Sequence, residues 1–312
     1  MSYKILNRGP FSSGPLSFWQ IEIMGSAIPA GVKLPEPPEW YDDEPTPPPL
    51  VERDGDLATM HFHDLGRFWI DFAQRRITGF DIDPETEDFV ITHILHDHIA
   101  PRILAELGDL ILHASTVRFG SAVALFLGET GAGKSTLATS LHQNGHLLLG
   151  DDAVIVTSGP QGYFAQVVYP SLRLFPEAIS RLLDATAQTS PMADYSDKQN
   201  VYLPDVLGAA DTPMPLVATF FLSGECGATV ATATPLDSTR ACIKLVEQSF
   251  TLDPHNPLCA ARRLAAVSQM AQGIPAYLLT YPHDFARLGE VRAVIVGRAA
   301  PEGAREARRP LQ

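Results

Sequence analysis

The sequence predicts an α/β protein: a P-loop core with a mixed sheet and flanking helices, preceded by a small β-rich N-terminal domain. Three observations lead there. The glycine-rich run Gly128-Glu-Thr-Gly-Ala-Gly-Lys-Ser135 stands between an apolar run and a helix-forming run. Strand-like and helix-like patterns mix from residue 108 to about 298. Before them, from Leu57 to Ile82, apolar residues mostly alternate (Met60, Phe62, then Phe68, Ile70, Phe72) as in antiparallel strands.

The chain therefore divides into an N-terminal domain at 1–107, a P-loop domain at 108–298 and a disordered tail at 299–312. Residues 29–50 hold eight prolines and five carboxylates, which suits an extended arm rather than a ladder or a core. From Asp88 to Leu107 apolar positions keep helical spacing around Pro101, which is expected to break the element in two. A hairpin centred on Gly120 precedes the glycine-rich run, and a helix ending near Gly145 follows it. Later, Ser238 to Phe250 and Leu258 to Gln272 read as helices. Ala276 to Tyr281 reads as a buried strand leading to a final helix from Asp284.

The 45% of hydrophobic residues can fill a core in a chain of 312 residues. A net charge of −13 argues against nucleic acid or an anionic membrane as partner, because both reward clustered Lys and Arg. The N-terminus lacks the apolar core of a signal peptide and no long apolar run follows, so a cytoplasmic protein is expected. Three scattered cysteines, Cys226, Cys242 and Cys259, read as reduced packing residues. The sequence leaves the oligomeric state open, a homo-oligomer included.

The glycine-rich run has the spacing of a phosphate-binding loop, and its context agrees: Ala122-Val-Ala-Leu-Phe-Leu127 supplies the strand before it and Thr136-Leu-Ala-Thr-Ser-Leu141 the helix after it. Gly128, Gly131 and Gly133 let the backbone curl around a phosphate, with Glu129, Thr130 and Ala132 completing the loop. Lys134 is expected to reach the β- and γ-phosphates of ATP. The Ser135 hydroxyl is expected to ligate Mg²⁺, with Thr136 as a second hydroxyl.

Asp151-Asp152 follows in His146-Leu-Leu-Leu-Gly-Asp-Asp-Ala-Val-Ile-Val156. A helix over residues 134–144 descends roughly 16 Å, and a strand from His146 climbs roughly the same distance back. The aspartates thus return to the loop, on a strand read as a parallel neighbour of the loop strand. Adjacent strand residues point to opposite sides, so one aspartate can meet the metal while the other faces an incoming hydroxyl.

His113 is expected opposite residue 127 across the hairpin, at the mouth of the site. It could accept a metal or a proton, or stabilise phosphate charge once protonated. Arg173 and Lys198 are cations that could meet a phosphate or an acidic peptide. The cluster His93-x-x-His96-Asp97-His98 lacks a metal-protease pattern and reads as a solvated helix face.

Leu112-His-Ala, the glycine-rich run and Gly145-His-Leu-Leu-Leu-Gly-Asp-Asp-Ala-Val154 together resemble the HPr kinase/phosphorylase family of serine kinases, over about residues 108–156. The resemblance implies one active site for these motifs, with Asp151 as general base, Asp152 as metal partner and His113 as an accessory group. The glycine-rich stretch that follows the aspartates in that family is missing here. In this the chain is more similar to the shorter HPr kinase-like proteins of ribosomal-peptide biosynthesis, including lasso peptide kinases that phosphorylate a precursor serine.

The expectation is an ATP- and Mg²⁺-dependent kinase acting on a serine of a peptide or small protein. Alternatives are an ATP-binding regulatory module without phosphotransfer and a kinase of HPr itself. The absence of an Asn-Lys-x-Asp motif disfavours a GTPase.

Overall fold

A computed structural model describes residues 3–4, 15–24, 49–63, 65–185, 187–193, 196–203, 212–223 and 227–299. The expected arm, apart from its last two residues, and the expected tail beyond 299 lie outside these, as does Cys226. Two compact units divide the chain: residues up to Ala100 with Leu252–His255, and Pro101–Thr251 with the chain from Asn256 on. The division falls at Ala100 rather than at 107, inside a helical run.

Among the described residues the first unit holds six strands: β1 (Tyr3–Lys4), β2 (Gln20–Met24), β3 (Leu50–Asp54), β4 (Leu57–Phe62), β5 (Gly66–Asp71) and β6 (Arg76–Phe80). They form one sheet in the order β1-β2-β6-β5-β4-β3, antiparallel except for β2 against β6. The alternation read over 57–82 packs Met60, Phe68, Ile70 and Ile77 into the buried face.

Helix α1 (Asp88–His93) runs through a π-helical stretch at Ile94–Ile99 into α2 (Ala100–Leu107), so the expected break at Pro101 is not there. A proline ring crowds the carbonyl four residues back. The wider π turn, in which the Ala100 N–H reaches the Leu95 carbonyl, accommodates it without ending the helix. The histidine cluster is not a solvated face either. His93 Nδ1 lies 2.5 Å from Asp97, both side chains 9% exposed, and the His98 ring sits 5.5 Å from that of His93 and 5.7 Å from that of Phe62. Among the described residues no three His, Cys, Asp or Glu are grouped to hold a metal.

The second unit continues with β7 (Leu110–Leu112), β8 (Ala114–Phe119), β9 (Ala122–Leu127), α3 (Lys134–His142), β10 (Leu147–Gly150), β11 (Val154–Gly159) and β12 (Gly162–Val167). Next come β13 (Arg173–Leu174), α4 (Pro176–Leu182), β14 (Gln188–Ala193), β15 (Ser196–Tyr202), β16 (Met214–Leu222) and β17 (Thr232–Pro235). The last described elements are α5 (Ser238–Glu247), α6 (Pro257–Gly273), β18 (Ala276–Thr280) and α7 (Leu288–Ala299). Nine strands build a mixed sheet. It runs β10-β8-β9-β16-β12-β11-β7, with β18 also on β16 and β17 on β18. Strands β13, β15 and β14 form a small separate sheet.

Fully buried β9 feeds two cores. Ala124 and Phe126 face Leu137 and Leu141 of α3 and Val291 and Ile295 of α7. Val123, Leu125 and Leu127 face Ala241 and Leu245 of α5 and Val267 and Met270 of α6. Each buried leucine contributes about 1.5–3 kcal/mol. Phe126, Phe220 and Tyr277 stack across β9, β16 and β18 with centroids 5.3 and 5.4 Å apart, fixing the register of the parallel strands. Among the described residues Cys242 and Cys259 are partly buried and in no disulfide, and the Cys259 thiol donates to Glu106 at 3.6 Å. Among the described residues no helix is long and apolar enough to cross a membrane.

Strand β10 does not pair with β9; it pairs antiparallel with β8, which lies between them. The hairpin strand occupies the edge of β9 that the crossover was expected to take. Strands β9, β10, β16 and β18 nevertheless all run the same way, and their C-terminal ends share one edge.

Candidate functional site

At that edge β9 ends in a loop that turns on Gly128, Gly131 and Gly133, with φ of 154°, 84° and 94°. The last two are left-handed, a region side chains rarely enter. A β-carbon on Gly133 would stand 2.9 Å from the Tyr281 hydroxyl, and one on Gly128 3.2 Å from the Leu222 carbonyl. Gly133 stands at the N-cap of α3 and has no side chain to cap the helix. The positive end of the helix dipole therefore opens into the loop. Glu129, Thr130 and Gly131 are exposed, whereas Ser135 and Thr136 are half-buried.

Lys134 folds back across this loop. It is buried, and its ammonium donates to the carbonyls of Gly128 at 2.7 Å and Glu129 at 3.1 Å. Burial pulls its pKa down, partly opposed by Asp151 and Asp152, and the nearby Lys198 charge lowers it further.

Strand β10 returns the aspartates to the loop, as the helix and strand lengths require. Asp151 is 2% exposed and accepts a hydrogen bond from Ser115 Oγ at 2.5 Å, with the Ser135 hydroxyl near enough to stabilise its charge. Burial pushes its carboxyl upward, and the neighbouring Asp152 adds to this. The two hydroxyls and Lys134 pull the other way.

Asp152 lies just past the strand, in the left-handed region at φ 74°. The two carboxylates therefore part because the chain turns here, not because a pleat alternates. Such a φ in a non-glycine residue is held by its surroundings. Arg173 Nη1 donates to Asp152 at 2.9 Å, and His113 Nε2 lies 3.5 Å from its other oxygen.

His113 is the residue where the chain leaves the β7–β11 ladder for the β8–β9 ladder, so Ala114 rather than His113 faces Leu127. Its N–H donates to the Gln248 carbonyl at 2.7 Å, and its ring is 6.1 Å from Phe250.

Arg173 is no surface cation. It is 7% exposed and also donates from Nε to Asn200 on β15 at 3.3 Å, which commits it to holding Asp152. Lys198, on the same strand, rests 5.4 Å from the centre of the Phe175 ring.

Sequence reasoning missed Ser115, Ser171 and Tyr281. Ser115 stands in β8 two residues after His113, which precedes that strand. Ser171 Oγ donates to the Asp151 carbonyl at 3.1 Å. Tyr281 follows β18 at the shared edge and donates to the Ala132 carbonyl at 3.1 Å. Its burial pushes the phenol pKa up to about 12. Its position at the end of a parallel strand was a usable signal.

No protein-family model matches the chain, and no curated protein does. Among solved structures it is similar to the Hpr(Ser) kinase/phosphatase from Coxiella burnetii, at 12% identity and a TM-score of 0.32, over 59% of this chain and 93% of that one.

Proposed function

We propose that the chain is an ATP- and Mg²⁺-dependent kinase that phosphorylates a serine hydroxyl of a peptide or small protein. The observation that carries this is the Asp151–Asp152 pair held against the glycine-rich loop, both carboxylates near the Lys134 charge and Asp152 toward His113.

The residues fit the groups required. Left-handed glycines and the uncapped α3 N-terminus suit a phosphate-binding loop, with Lys134 within it. Ser135 and Asp151 offer the hard oxygen donors that Mg²⁺ favours. When bound, that ion neutralises phosphate charge.

The resemblance casts Asp151 as base and Asp152 as metal partner, but the contacts favour the reverse. Asp151 is sealed in and shares Ser135, whereas Asp152 is 22% exposed on its side chain and borders His113. In the reaction the serine oxygen bonds the γ-phosphorus as the bond to the ADP oxygen breaks. The serine proton passes to Asp152, which Arg173 holds in place. A short precursor of ribosomal-peptide biosynthesis is the acceptor that the resemblance suggests.

The test is transfer from γ-labelled ATP with Mg²⁺ to serine peptides and HPr, by wild type and by Lys134→Ala, Asp151→Asn and Asp152→Asn. Transfer should vanish in all three variants, with ATP still bound by Asp152→Asn. Equal labelling by wild type and Asp152→Asn would sink the proposed base. Bound ATP with no transfer to any acceptor would make the chain a nucleotide-binding module instead.

A further inference from the structure

Beside the glycine-rich loop lies a half-open cavity of about 300 Å³, at the lower end of ligand-site volumes. Gly131, Gly133 and Thr136 form one wall, so the cavity is continuous with the loop and the first turn of α3. Opposite stand Phe175 and Phe285, from the start of α4 and the segment after β18. Phe175 is 47% exposed, unusual for a phenyl ring, and the Lys198 ammonium lies 5.4 Å from its centre. Glu177 and Asp284 add carboxylates to the lining.

We propose that this cavity takes the purine base of the nucleotide whose phosphates the loop holds. The inference rests on the phosphate-loop reading above and adds the residues that hold the nucleoside. A flat ring between loop backbone and phenyl rings covers apolar surface that water otherwise wets. A purine carrying an exocyclic amino group donates to carboxylates such as Glu177 or Asp284. The cavity meets the loop at the first turn of α3, with Thr136 and Leu137 in its lining but neither Asp151 nor Asp152, and this commits it to the nucleoside rather than to the acceptor.

The experiment compares ATP with inorganic tripolyphosphate, both with Mg²⁺, by calorimetry on the full chain. Phe175→Ala tests an exposed ring whose loss leaves the core intact, and Lys134→Ala tests the loop. Phe175→Ala should weaken ATP about tenfold and leave tripolyphosphate unchanged, and Lys134→Ala should weaken both. Labelling by 8-azido-ATP should map to the peptides carrying Phe175 or Phe285. Equal affinity of wild type for ATP and tripolyphosphate, or labelling elsewhere, overturns the base cavity and leaves the loop standing. Failure of both ligands to bind overturns the loop reading and the cavity with it.

Discussion

The Ser115 hydroxyl donates to the Asp151 carboxylate across 2.5 Å, from a strand that separates the loop strand from the strand carrying the aspartates. A hairpin strand thus does more than cover an edge: it orients a buried carboxylate. If Asp151 holds Mg²⁺ as proposed, Ser115→Ala should lower ATP turnover roughly 10- to 100-fold, the usual range for a residue that orients a metal ligand. The loss should fall on kcat, with the KM for ATP nearly unchanged, and steady-state kinetics checks it.

Arg173→Leu should release Asp152, whose left-handed backbone and 2.9 Å ion pair go together. Because the Asp152 side chain is partly exposed, the stability loss should be modest, about 1–3 kcal/mol. Transfer should fall with it while ATP still binds. Urea denaturation and nucleotide titration separate the two effects, and Arg173→Lys should restore stability better than transfer.

Tyr281→Phe removes one buried hydroxyl from the Ala132 carbonyl and little else. ATP affinity should drop about 3- to 10-fold, matching a neutral hydrogen bond of about 1 kcal/mol. Calorimetry with unchanged thermal stability would attribute the loss to the loop.

Gly133→Ala meets two penalties: a β-carbon 2.9 Å from the Tyr281 hydroxyl and a φ of 94°. Nucleotide binding should be abolished. Combining it with Tyr281→Phe should relieve the clash but not the backbone strain of about 1–3 kcal/mol, so rescue should be partial. Full rescue in the double variant would show that sterics alone matter.

His146 lies 4.6 Å from the Phe119 ring, and burial lowers its pKa from about 6.5. The unfolded chain then binds this proton more readily than the folded one. Stability is therefore intact above about pH 6.5 and declines as pH falls through that value toward the depressed pKa. Melting temperatures at pH 7.5 and 5 should differ more for wild type than for His146→Gln.

The glycine-rich loop, the helix after it and the return of the aspartates were legible because each depends on local spacing and element length. What was not legible is lateral order. Nothing in residues 146–156 says that β8 stands between β10 and β9. That is decided by which edge of β9 the hairpin covers, a choice made across the whole sheet. Likewise Arg173 reads as an ordinary cation until the small β13–β15 sheet carries it to Asp152. Its burial depends on a pairing between residues far apart in the chain.

The ammonium of Lys134 already has two carbonyl acceptors within its own loop. A nucleotide bound as proposed would have to exchange those bonds for its own before any net affinity accrues, so its affinity would be a difference between two well-satisfied arrangements. Ligands with few anionic oxygens offer that amine little reason to move. If the loop holds ATP as proposed, the resting posture of this one side chain would favour a triphosphate over a diphosphate ahead of any contact with the terminal phosphate.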